Sequence, residues 1–125
     1  MKDNTKIVVF TGNRAEYGQL KYLIELINNS KNLELKLFVS GSHLSKRYGN
    51  TFSEINNDNL KVDRFIHISL DVSPPPTISE LTAEVIKGMS QSLEEVKPNI
   101  CILLGDRYET FAAATACHLN KVPCT

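Results

Sequence analysis

Three short stretches carry residues that could do chemistry: "TGNRAEYG" at 11–18, "GSHL" at 41–44 and "GDRYE" at 105–109. The first and third each offer a glycine, an arginine and a carboxylate within a few residues. Gly12, Arg14, Tyr17 and Gly18 stand in the first, Gly105, Asp106, Arg107 and Glu109 in the third. Glycine lets a ligand approach the backbone, and a guanidinium can hold a phosphate with two parallel hydrogen bonds. If each stretch opens a helix, free N–H groups and the helix dipole would add to the attraction for an anion. The bland alternative leaves both arginines solvated or paired with Glu16 and Glu109. Asp106 could serve as an acid or base at the end of a buried strand. It could equally cap the following helix, with Glu109 three residues on completing a capping box. His43 is a candidate for substrate contact. His67 and His118 fall where structural histidines are more usual.

These residues need elements to position them. Residues 6–11 form a continuous apolar run, as expected of a strand buried on both faces. Leu20, Leu23, Ile24 and Ile27 then make one helical stripe. A second strand is expected at 33–40, a polar loop at 41–50 and a short helix at 51–57. Residues 62–68 read as a third strand, with Asp63 and Arg64 suiting a sheet edge. "SPPPT" at 73–77 is a surface connection, since proline fits neither a helix interior nor a central strand. Ile78, Leu81, Val85, Met89, Leu93 and Val96 mark a long amphipathic helix, which Pro98 stops. A fourth strand follows at 100–104, an alanine-rich helix at 108–120, and the start of a fifth strand at 122–125.

Strands alternating with helices predict an α/β fold with a doubly wound parallel sheet. Right-handed crossovers favour the strand order 3-2-1-4-5. The topological switch then lies between strands one and four. Ligands bind at the carboxyl ends of strands at such a point, and there the first and third stretches would meet.

Composition narrows the classes. At 125 residues the chain is one domain's worth. Fourteen basic residues balance fourteen acidic ones, so the footprint of a nucleic-acid binder is missing. No run approaches a membrane span, and the first residues are too polar for a signal peptide. Cys101, Cys117 and Cys124 match no zinc spacing, and no carboxylate or cysteine stands at ligand spacing from a histidine, so no metal site is expected. A reduced, cytoplasmic protein fits best. The first stretch is neither a Walker A loop nor Gly-x-Gly-x-x-Gly, and no acid follows the second strand to hold a ribose. A nicotinamide cofactor is therefore not expected. Nor does an acidic pair follow the first strand, as a phosphorelay receiver would need.

Taken together, "TGNRAEYG", "GSHLSKRYGNT" and "LLGDRYETFAAATA" resemble the hydrolysing UDP-N-acetylglucosamine 2-epimerases. The resemblance covers essentially the whole chain. It implies the N-terminal Rossmann-like half of a two-domain, glycosyltransferase-B type fold, with the active site in the cleft between halves. It implies elimination of UDP across C1–C2 followed by hydration, giving N-acetylmannosamine for sialic acid-type synthesis. Arg14 and Arg107 would stand near the diphosphate, Asp106 would be a catalytic acid or base, and His43 would lie near the sugar. No metal or redox cofactor is implied. The implied partner is the nucleotide sugar, with no nucleic acid and no membrane, and a homo-oligomer is expected. The family's next segment, of His-x-x-Gly-Gly-Glu type, would begin just past Thr125, so 1–125 is expected to lack the end of the domain and the whole second domain, and to be inactive alone. A GDP-sugar 2-epimerase of legionaminic acid synthesis shares the same motifs. A non-catalytic nucleotide-binding module or a flavodoxin-like signalling domain is the alternative from another class. Arg14-Ala15-Glu16 fits the hydrolysing branch better than the Arg-Pro-Glu usual in non-hydrolysing enzymes.

Overall fold

The computed structural model describes residues 4–46 and 51–125. Four parallel strands form one sheet in the order β3-β2-β1-β4. They are β1 (Thr5–Thr11), β2 (Leu33–Ser40), β3 (Arg64–Ile66) and β4 (Ile100–Ile102). Four helices connect and flank them: α1 (Arg14–Asn28), α2 (Phe52–Asn57), α3 (Ile78–Val96) and α4 (Tyr108–Leu119). A 3-10 turn, Gly41–Leu44, follows β2.

Alternate side chains of β1 feed two separate cores, as the period of two demands. Ile7 and Val9 join Leu20, Ile24, Ile27, Leu37, Val39 and Ile55 on the face covered by α1 and α2. Val8 and Phe10 join Phe38, Ile66, Val85, Met89, Leu93 and the alanines of α4 on the other. The small side chains of Ala112, Ala113 and Ala116 let α4 approach that face closely. The sheet is thus doubly wound, and β1 and β4 are central neighbours, pairing Ile7 with Ile100 and Val9 with Ile102.

The nascent fifth strand lies where the crossover rule places it. Cys101 pairs with Cys124 in parallel, through Cys101 N to the Pro123 carbonyl (2.9 Å) and Thr125 N to the Cys101 carbonyl (3.0 Å). Cys101 is fully buried, as its apolar neighbours suggest.

Three boundaries differ from expectation. The third strand keeps only three residues, at the sheet edge, where Asp63 turns its carboxylate to Leu37 N at 2.8 Å instead of extending the ladder. β4 pairs with β1 only to Ile102, while on its far side Leu103 N still bonds the Thr125 carbonyl. Part of the presumed polar loop is the 3-10 turn, and the rest of it at 47–50 lies outside the described residues. Among the described residues no helix is long and apolar enough to cross a membrane.

Candidate functional site

Because β1 and β4 are parallel neighbours, the turns leaving them open at the same end of the sheet. The turn after β1 is shorter than a loop over 12–18 would be. Helix α1 already begins at Arg14, so Gly18 sits in a helix and only Gly12 and Asn13 are turn. Asn13 caps the helix, its Oδ1 accepting from Glu16 N at 2.9 Å. Glu16 reaches back, its Oε1 accepting from Gly12 N at 3.0 Å. The start of α1 therefore satisfies several of its own donors.

Helix α4 starts differently. Its N-cap is Arg107, which makes no side-chain capping bond. The capping alternative for Asp106 does not hold: the chain enters the helix one residue later, and Asp106 is exposed. The capping box fails with it, since Glu109 is drawn inward and fully buried. One oxygen of Glu109 accepts from Arg107 Nε at 3.2 Å. The other is buried with no hydrogen-bond partner among the described residues. The Glu109 carboxylate strengthens the hold of the Arg107 guanidinium on its proton. Of the two predicted pairings within a turn, only this one forms. Arg14 pairs instead with Glu54 of α2, at 2.8 Å and largely in solvent.

Backbone approaches these carboxylates closely, and glycine makes that possible. A Cβ on Gly41, where φ is +67°, would stand 2.3 Å from the Gly12 carbonyl oxygen and 2.9 Å from Glu109 Oε2. A Cβ on Gly105, at φ +112°, would stand 2.7 Å from Glu16 Oε2. The turn after β2 thus joins the other two: Ser42 N donates to the Gly12 carbonyl at 3.0 Å.

A cavity of about 260 Å³ opens beside this junction, lined among others by Ser42, Ser69, Pro75, Arg107, Tyr108 and Glu109. Asp106 faces an adjoining open groove with Tyr108, Ile78 and Phe111. Arg107 borders both spaces. An uncapped helix start, a guanidinium and two serines converge there, an arrangement suited to a phosphate group.

The remaining predicted residues sit apart from the cavity. His43 is fully buried. Its Nε2 lies 3.0 Å from Thr11 Oγ1 and its Nδ1 2.8 Å from Thr51 Oγ1. The single Thr11 hydroxyl hydrogen goes to the Asn13 carbonyl at 3.2 Å, so Nε2 carries the imidazole proton and donates. Burial pushes the His43 pKa down to about 4, so the ring is neutral. It ties the end of β1 to the turn after β2. Tyr17 is also buried and gives its hydroxyl to Asp58, linking α1 to α2. Burial and that carboxylate raise its pKa. His67 and His118 are exposed. Among the described residues no group of histidines, cysteines and acids could hold a metal.

Sequence reasoning missed the roles of Glu16 and Glu109. Both read as surface partners for arginine. The signal was Thr110, a small polar residue one position after Glu109 at the start of an alanine-rich helix.

Comparison with known proteins bears on these features. The profile of a family, UDP-N-acetylglucosamine 2-epimerase, matches residues 25–125. The UDP-N,N'-diacetylbacillosamine 2-epimerase (hydrolyzing) of Legionella pneumophila is 34% identical over 116 residues, 92% of this chain and 31% of that protein. The UDP-N-acetylglucosamine 2-epimerase of Neisseria meningitidis serogroup B is 33% identical over 116 residues, 93% of this chain and 30% of that protein. The chain therefore spans about 30% of the length of such relatives. The crystal structure of UDP-GlcNAc 2-epimerase from Neisseria meningitidis bound to UDP-GlcNAc superimposes with a TM-score of 0.82 at 22% identity, covering 96% of this chain and 31% of that one. That likeness establishes a shared fold.

Proposed function

Because the chain belongs to the UDP-N-acetylglucosamine 2-epimerase family, we propose that it supplies most of the N-terminal domain of a hydrolysing, cytoplasmic sugar-nucleotide 2-epimerase. The reaction takes UDP-N-acetylglucosamine to N-acetylmannosamine and UDP, for sialic acid-type synthesis. A base removes the proton on C2, the C1–O bond breaks, and UDP leaves with its electron pair. The resulting 2-acetamidoglucal adds water, hydroxyl to C1 and a proton to C2 on the opposite face, which inverts that carbon.

The observation that carries this reading is the junction of the β1 and β4 turns. Arg107, anchored on a buried carboxylate, stands at an uncapped helix start beside a cavity. In this reading Arg107 grips the diphosphate and Arg14 approaches it from α1. Asp106, one residue away and exposed, carries the acid–base step. Gly12 and Gly41 leave room for the Glu109 carboxylate that anchors Arg107. His43 and Tyr17 act from beneath by holding β1, the turn after β2 and α2 in register. Further acids come from the family's His-x-x-Gly-Gly-Glu type segment after the fifth strand, and base recognition comes largely from a C-terminal domain.

The test is a chimera in which residues 1–125 replace the matched segment of the Neisseria meningitidis serogroup B relative. Incubated with UDP-N-acetylglucosamine, it should release UDP and free N-acetylmannosamine. A product still carrying UDP would make the enzyme non-hydrolysing. A folded chimera that binds no nucleotide sugar would overturn the assignment.

A second reading concerns the sugar. Two relatives named for UDP- or GDP/UDP-N,N'-diacetylbacillosamine are 34% and 32% identical to this chain. Offering that substrate to the chimera, with UDP or GDP, separates the readings.

A further inference from the structure

Glu16 is nearly buried and stands between the two turns. Its Oε1 accepts from Gly12 N. Its Oε2 lies 3.3 Å from Thr110 Oγ1, and the same hydroxyl lies 3.2 Å from the Leu104 carbonyl oxygen. A hydroxyl owns one hydrogen, and a carbonyl oxygen can only accept. When Thr110 donates to Leu104, its contact with Glu16 is a hydrogen bond only if the hydrogen sits on Glu16. The surroundings agree. Glu109 is a second buried carboxylate close by, and Arg107, itself half in solvent, already serves it. Gly105 brings backbone so close to Glu16 Oε2 that a Cβ there would stand 2.7 Å from it.

We propose that Glu16 works as a neutral carboxylic acid, a positioning residue whose Oε2–H donates to Thr110 Oγ1 and ties the turn after β1 to the turn after β4. Glu109 is then the member that anchors Arg107, at 3.2 Å from its Nε. Burial raises the Glu16 pKa most and the Glu109 charge adds to the rise, while the bond from Gly12 N and the polar contacts with Thr110 and Asn13 oppose it without reversing it. The charged groups facing Glu16 are Glu109 and Arg107, both from the β4–α4 side. Asn13 and Thr110 complete its surroundings without charge.

Ionising Glu16 removes the bond to Thr110 and sets a second negative charge beside Glu109. The turn that carries Asp106 and Arg107 then loses its tie to β1. A carboxyl whose pKa is raised by folding contributes stability at low pH that is lost as pH rises through the folded value. The tie therefore weakens toward alkaline pH. Its effect on ligand binding rests on the diphosphate reading above; the protonation state of Glu16 does not.

Glutamine reproduces the hydrogen-bond pattern of the neutral acid, accepting from Gly12 N through its oxygen and donating to Thr110 through its nitrogen. Two measurements test the proposal. Carboxyl-carbon NMR of the ligand-free chain should show Glu16 still protonated at a pH where an ordinary exposed glutamate is ionised, against a Glu16→Gln reference. Titration with inorganic pyrophosphate and with UDP should show affinity within about twofold of the parent for Glu16→Gln, with its pH dependence flattened, and a loss of roughly fivefold or more for Glu16→Ala. An ionised Glu16 at that pH, or a glutamine variant as impaired as the alanine one, overturns the proposal. If the parent chain binds neither probe, the diphosphate reading fails for this chain. Thermal melting then still decides: Glu16→Gln should match or exceed the parent at alkaline pH, and a glutamine variant as unstable as Glu16→Ala overturns the proposal.

Discussion

Arg107 Nε stands 3.2 Å from Glu109 Oε1, the one hydrogen bond that the Glu109 carboxylate makes among the described residues. Arg107→Ala leaves a buried carboxylate without its counter-charge. That should cost about 1–3 kcal/mol of stability and, through the lost guanidinium, roughly tenfold or more in UDP affinity. Arg107→Lys should recover part of the stability and little of the affinity, because an ammonium cannot present the same planar fork. Denaturant melts and UDP titrations on the same variants check both. Unchanged affinity in Arg107→Ala would remove Arg107 from the ligand site.

Arg14 gives the contrasting case. Its side chain is 71% exposed and its partner Glu54 is on the surface. Arg14→Ala should cost no more than about 1 kcal/mol in stability. A charge-assisted contact to a diphosphate would nonetheless make UDP binding fall by about tenfold or more. A variant with parent-like stability and affinity would reduce Arg14 to a surface charge.

Asp106 caps nothing in this structure and lies open to the groove. Asp106→Asn should therefore leave the melting temperature nearly unchanged. In the chimera, turnover should fall by about 10² or more, the usual scale of acid–base catalysis. Normal turnover per folded molecule would move the acid–base role elsewhere.

His43 should make the domain acid-sensitive. Its folded pKa is depressed to about 4 by burial, below the ordinary value near 6.5. A depressed value means stability is present above the unfolded pKa and lost as pH falls through the folded one. Between neutrality and about pH 4 the loss should approach 3 kcal/mol. Glu16 acts in the opposite sense over its own range, so the two partly offset. Denaturant midpoints at two pH values for the parent and His43→Asn check this: the variant should start less stable and lose less on acidification.

Much of the fold was legible in the sequence. Continuous apolar runs at Ile7-Val8-Val9-Phe10 and Ile100-Cys101-Ile102 can only be strands covered on both faces, and the order followed from crossover handedness. The end of the third strand was not legible, because Asp63 and Arg64 are compatible with an edge and with a turn. The meeting of the turns after β1 and β4 was also readable, since it follows from strand order alone. The inward turn of Glu109 was not. Its burial depends on two glycines far away in sequence, Gly12 and Gly41, which leave room for its carboxylate. His43 shows the same limit: the residue type suggested contact with substrate, while tertiary packing spends both ring nitrogens on Thr11 and Thr51.

The glycines at the junction also divide the pocket by how freely it can change. Beneath its lining residues lies a floor of peptide backbone: Gly41 and Gly105 pack against Glu109 and Glu16, and there neither the torsion angle nor the space admits a larger residue. Its rim is Ser42, Ser69, Pro75 and Tyr108, whose side chains face the cavity. Efforts to redirect the protein toward another ligand should therefore diversify the rim and leave the floor fixed. Libraries built the other way would spend their variants on molecules that do not fold.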